Sequence, residues 1–159
     1  MKKIVCALIG LGFIGLANAA GYGIVDIEKV VESSTYLKQQ NASLEQTIKP
    51  ESAKLEKISQ EIQALQQQAQ AKGANPEQIQ KQYQAKVTEY QSIQQSVQAK
   101  VQTTIQNTNK TFETRVKQAA EQLRQENALD MVLNKNSALA YDAKNDLTAK
   151  MIQKVNAIK

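Results

Sequence analysis

A helical pattern from about Thr35 to Asn127, interrupted once at Lys72-Gly73-Ala74-Asn75-Pro76, is what most restricts the fold of this chain. Before the interruption, Leu37, Leu44, Ile48, Leu55, Ile58, Ile62, Leu65 and Ala69 occupy a and d positions of one heptad register, with Asn41 and Glu51 as polar exceptions. After it, Ile79, Tyr83, Val87, Tyr90, Ile93, Val97, Val101, Ile105, Thr108, Phe112, Val116, Ala119 and Leu123 advance by a mean of roughly 3.7 residues, near the repeat that favours straight packing. Gly73 suits the left-handed end of one helix. Asn75 can cap the next, Pro76 fits its first turn, and Gln78 completes a capping-box pattern. These signals predict an antiparallel helical hairpin. An outgoing helix of about 37 residues would reach roughly 55 Å, and a return helix of about 51 residues roughly 75 Å. Such a chain is an arm, and residues 35–127 are assigned to it, with a tip near 72–76.

Residues 1–19 read as a secretory signal peptide: Lys2 and Lys3, an apolar run from Ile4 to Leu16, then Ala17-Asn18-Ala19 as a small-x-small cleavage site. An amino-terminal membrane anchor is the alternative, but the run falls short of the ~20 apolar residues a spanning helix needs. Cys6 lies within the signal, so cleavage after Ala19 leaves 140 residues with neither Cys nor His. No disulfide, thiolate metal site or imidazole chemistry is then available, and no cofactor or metal is expected.

Loss of Lys2 and Lys3 leaves 18 basic residues against 15 acidic ones, a net charge of +3. Residues 53–100 hold six Lys and four Glu, a balance of +2 that is too small for a nucleic-acid patch. It permits weak attraction to anionic lipid or lipopolysaccharide without requiring it. Exposed positions between Gln60 and Gln106 are dominated by Gln, a good helix former able to touch many sequences. Tyr83 and Tyr90, one heptad apart, are seam positions, while Lys72 and Lys81 lie near the tip, where a partner would be met first. Pro50 predicts a kink near residues 46–50, since it removes a donor and crowds the carbonyl four residues back.

The two ends of the chain read as sheet. Gly21-Tyr22-Gly23-Ile24-Val25-Asp26-Ile27 has apolar residues at both parities, as in a strand buried on both faces, with Asp26 as a helix cap and Ser33-Ser34-Thr35 as a second capping site. Leu129 to Leu133, a turn at Asn134-Lys135-Asn136, and Ser137 to Tyr141 read as a β-hairpin, followed by a last helix capped by Asp146. The predicted class is α+β, mostly α: a long coiled-coil arm on a small β-containing body, residues 20–34 and 128–159. Three short strands and one short helix bury too little to stand alone, so the body is expected to self-associate through Ile24, Val25, Ile27, Leu129, Met131, Val132, Leu133, Leu139 and Tyr141.

Across residues 20–159 this order resembles the Skp/OmpH family of periplasmic chaperones. The resemblance rests on a V-D-x-x-x-V motif (Val25 to Val30), the polar helical hairpin, an L-D-x-V-L motif (Leu129 to Leu133) and the Asp146-Leu147-Thr148 helix start. It implies a homotrimer with a small β body and three helical arms around a cavity, in which unfolded outer-membrane proteins are kept soluble in the periplasm. Better-known members have strongly basic arms, so electrostatic capture is expected to be weaker here, and no lipopolysaccharide-binding residues carry over. Lys72, Lys81, Tyr83, Lys86 and Tyr90 are the candidate client contacts. The sequence contains no nucleotide fingerprint, which points to an ATP-independent holdase. The alternative from another class is a structural coiled-coil spacer or tether of the envelope. An enzyme fits least, since the carboxylates are accounted for as caps or solvated pairs.

Overall fold

A computed structural model describes residues 21–70 and 75–159; the signal-peptide expectation, Lys72 and Gly73 lie outside this range. The elements are β1 (Tyr22–Val25), α1 (Ile27–Ser33), α2 (Thr35–Ala69), α3 (Pro76–Glu126), β2 (Met131–Asn134) and α4 (Thr148–Ala157). Short 3-10 turns at Lys135–Ser137 and Ala143–Asn145 separate β2 from α4.

Each helix starts where a side chain satisfies an amide that the helix cannot. Asp26 accepts from the Lys29 amide at 3.2 Å, Ser34 from Leu37 at 3.2 Å, and Asn75 from Gln78 at 3.3 Å. Asp146 accepts from the Thr148 amide at 2.8 Å and so opens α4. α2 continues through Pro50 as one helix, and α3 runs 51 residues without a break.

The two long helices form the arm, and opposed pairs fix its register: Lys54 with Glu89, Glu61 with Lys86, Gln66 with Tyr83. Two helices can enclose only a stripe, and the exposure of the seam reflects this. Among the seam positions of α2 only Ile58 is buried, at 3%, while Leu37, Leu44, Ile48, Leu55, Ile62 and Leu65 are half-buried. Ile105, expected in the seam of α3, is 48% exposed.

The core sits at the other end. Val25, Val30, Ala119, Leu123, Leu147, Met151 and Val155 form it, with Phe112, Val116, Leu129 and Val132 packed against it. The last turns of α3 therefore belong to the body as much as to the arm. Their burial enlarges a core that the short elements alone could not supply.

β1 and β2 pair in parallel, Tyr22 with Met131 through Val25 with Asn134, so the whole hairpin is the crossover between two adjacent strands. The Leu147 amide donates to the Ile24 carbonyl at 2.8 Å on the other side of β1. The predicted three-strand arrangement is corrected here: the sheet has two strands, and residues 137–141 form none. Asn134 accepts from the Asn136 amide at 3.3 Å, and the Ala138 amide donates to the Lys135 carbonyl at 3.1 Å. These local bonds use the groups that an antiparallel ladder would need. Ile27, expected in the first strand, is instead the first residue of α1, because the Asp26 cap starts the helix there.

Candidate functional site

The distal half of the arm carries most of the candidate contact residues. Its polar face arises because helical spacing assigns the apolar residues to one stripe and leaves the rest of each turn to Gln, Thr and Ser. Along α3 from Glu77 to Ile93 an open groove of ≈ 940 Å³ is lined by Gln80, Lys81, Gln84, Ala85, Thr88 and Ser92, with Lys54 contributed by α2. A second groove of ≈ 390 Å³ lies among Glu61, Ala64, Leu65, Gln68, Gln82 and Lys86. Glutamine and threonine side chains both donate and accept, so these surfaces can form hydrogen bonds with any extended backbone.

The four candidate contacts among the described residues are not equivalent. Lys81 is exposed in the larger groove, whereas Lys86 is engaged, with Glu61 Oε2 at 2.7 Å and Glu89 Oε2 at 3.2 Å. Glu61 first, and Glu89 second, hold the Lys86 ammonium above the ordinary lysine range; Lys86 in turn holds Glu89 below the usual carboxylate range. Glu89 also meets Lys54 at 3.6 Å, which makes one charge network across the two helices. Tyr83 and Tyr90 are half-buried, and the Tyr83 hydroxyl accepts from Gln66 at 3.4 Å. Gln80, Gln84 and Thr88 were not singled out from sequence, although the glutamine density around them was visible.

The candidate association residues divide by exposure in the single chain. Ile24 and Val25 are buried within their own chain, and Ile27, Leu129 and Val132 pack on its core. Met131 is 46% exposed and Tyr22 37%; Leu133 and Tyr141 are half-buried, and Leu139 is fully exposed. Tyr22, Ile24, Met131, Leu133, Ala138 and Ala140 line a groove of ≈ 270 Å³ on this side. The apolar outer face of the sheet is thus left open in the single chain.

Asp26 joins the two ends of the body. Its amide donates to Thr148 Oγ1 at 2.9 Å and its carboxylate meets Lys135 Nζ at 3.2 Å. The Lys29 amide and then Lys135 hold that carboxylate below its ordinary range. Among the described residues no three His, Cys, Asp or Glu side chains gather as a metal site, and no helix is long and apolar enough to cross a membrane.

No curated protein sequence matches the chain. The crystal structure of a candidate outer membrane chaperone (OmpH-like) from Caulobacter crescentus CB15 shares the fold, with a TM-score of 0.71 and 21% identity over 87% of this chain and 85% of that one. A family model described as "Outer membrane protein (OmpH-like)" matches residues 21–155. The chain belongs to the OmpH-like family.

Proposed function

We propose that this protein is an ATP-independent periplasmic holdase that keeps unfolded outer-membrane proteins soluble before their insertion. The observation that carries the reading is the groove along α3, where Gln80, Gln84, Thr88 and Ser92 stand beside Ala85 and Ile93 on an arm remote from the core. A strand destined for a membrane barrel alternates apolar and polar residues. A surface that alternates amide, hydroxyl and methyl groups can hold such a strand by many weak contacts and release it without an energy source. Membership of the OmpH-like family supports the same reading.

The open outer face of the sheet supports assembly. Tyr22, Met131 and Leu139 lie in or beside one groove and are exposed in the single chain, and a second copy would cover them. The proposed form is a homotrimer, as the family resemblance implies, with three arms around a shared cavity. It acts by binding and not by catalysis, on export to the periplasm and removal of residues 1–19.

Light scattering coupled to size exclusion tests the proposal, with and without a urea-unfolded outer-membrane protein diluted into the processed chain. A trimer that gains the mass of one client and stays in solution is expected. An oligomer that ignores the unfolded client overturns the holdase and favours an envelope tether with a folded partner.

A further inference from the structure

α1 and α2 are separated by one residue, Ser34, whose extended backbone (φ −70°, ψ 114°) turns the chain from the body into the arm. A single non-helical residue is a natural hinge. The Ser34 hydroxyl caps α2 from within, yet the bonds that span the hinge come from a distant helix. Asn156, in the last turn of α4, accepts through Oδ1 from the Thr35 amide at 2.9 Å and from the Thr35 hydroxyl at 3.1 Å. Through Nδ2 it donates to the Ser33 carbonyl at 3.2 Å. One amide side chain therefore bonds both sides of the hinge, satisfying a free donor of α2 and a free acceptor of α1.

A second fastener lies on the same segment. Arg115 of α3 donates from Nη1 to the Ile158 carbonyl at 2.6 Å, and its guanidinium carbon sits 4.1 Å from the centroid of the Tyr36 ring, in the first turn of α2. The cation is thus shared between the end of α4 and the foot of α2. α3 is continuous from body to arm and is anchored by Ala119 and Leu123, so α2 can brace it only if the foot of α2 is held.

We infer that Asn156 and Arg115 are positioning residues that clamp the foot of α2 and thereby set the angle at which the arm leaves the body. With the foot held, the two helices bend as one beam; with it released, α3 alone resists bending at the root. The lever is long. Gln63 lies 28 residues above Thr35, about 42 Å along the helix, so a tilt of about 10° at the root moves it by about 7 Å. This deepens the proposed function, from which it takes only that arm spread governs how a client is enclosed.

The test uses spin labels at Lys150→Cys on the body and Gln63→Cys on the arm, in a processed chain that has no cysteine of its own. Labelled protein is diluted into an excess of unlabelled protein so that only distances within one chain contribute. Asn156→Ala and Arg115→Met, separately and together, are expected to broaden the distance distribution by several ångströms and to speed exchange of a bound client. Asn156→Asp keeps the acceptor for Thr35 and loses the donor to Ser33, so its distribution should fall between those of the parent and Asn156→Ala. That graded response would not follow from a general loss of body stability, which thermal unfolding reports separately. The single substitutions carry the test even if the pair fails to fold. A distribution unchanged in both single variants overturns the latch, whatever the client assay reads; failure of the unsubstituted protein to hold any client bears on the proposed function alone.

Discussion

Glu61 on the outgoing helix and Lys86 on the returning helix meet at 2.7 Å across the arm, with Glu89 and Lys54 extending the contact into a four-residue network. Glu113 with Lys117 and Glu121 with Arg124, further along α3, are by contrast pairs within that helix. These charges are about one-third to one-half exposed, so solvent screens them and each pair contributes modestly. Their effect is on register, because a one-turn slip would separate opposite charges. Lys86→Met should quicken amide hydrogen exchange in residues 54–66 and 83–93 while leaving the body unchanged. Raising the salt concentration should reproduce the effect in the parent protein and add little in the variant. Equal protection in parent and variant would remove the network from any role in arm order.

Ala128 carries a positive φ of 49° at the end of α3. The Leu129 amide donates to the Arg124 carbonyl at 2.9 Å and the Ala128 amide to Gln125 at 3.3 Å, the paired bonds of a Schellman motif in which glycine usually takes this position. Ala128→Gly relieves the Cβ clash and should stabilise the chain by about 1 kcal/mol, less what the freer unfolded chain takes back. A denaturation midpoint lower than that of the parent would contradict it.

Gly23 faces the core from β1. A methyl group there would lie 2.5 Å from Leu147 Cδ1 and 3.0 Å from Leu129 Cδ1. Leu147 is buried in the core and Leu129 packs half-buried against it, so the closer contact, with Leu147, must be relieved by a shift within the core. Gly23→Ala should cost about 1–3 kcal/mol of stability, read from urea unfolding of the body. A midpoint equal to that of the parent would show that the leucines repack freely.

Acid should loosen the body in a defined window. The Arg124 guanidinium, which bonds both oxygens of Glu121, and Gln125 lower the Glu121 carboxyl from 4.5 to about 2. Asp146, held mainly by the Thr148 hydroxyl, and Asp26, held mainly by the Lys29 amide, are also lowered from 3.8. A carboxylate whose pKa falls on folding contributes fully above its unfolded value, and that contribution is lost as pH falls toward the folded one. Thermal unfolding should therefore weaken progressively from pH 4.5 downward, and Glu121→Gln should flatten part of that slope. An unchanged slope in the variant would remove Glu121 from the account.

Much of the arm was legible in the sequence because its information is local. Helical spacing, the Asn75-Pro76 start and the Ser34 cap depend on residues a few positions apart, and α3 has the 51 residues that this pattern predicts. Asp26 could likewise be read as a cap, since a carboxylate before a helix has few other uses. The glutamine-rich surface was visible as composition, but not the groove that Gln80, Gln84 and Thr88 line with Lys54, because that shape depends on how two helices lie together.

What the tertiary structure alone decided involves partners distant in sequence or competition between bonds. The strand expected at residues 137–141 did not form, because Asn134 and Lys135 satisfy the turn locally before a ladder can begin. Ala128 gave no sign of its left-handed backbone, since alanine is not the residue that marks one. Asn156 looks from sequence like any polar residue near a helix end. Its place at the arm's root exists because α4 folds back over 121 residues to meet Thr35, and such a contact is set by packing of the whole body, not by any pattern along the chain.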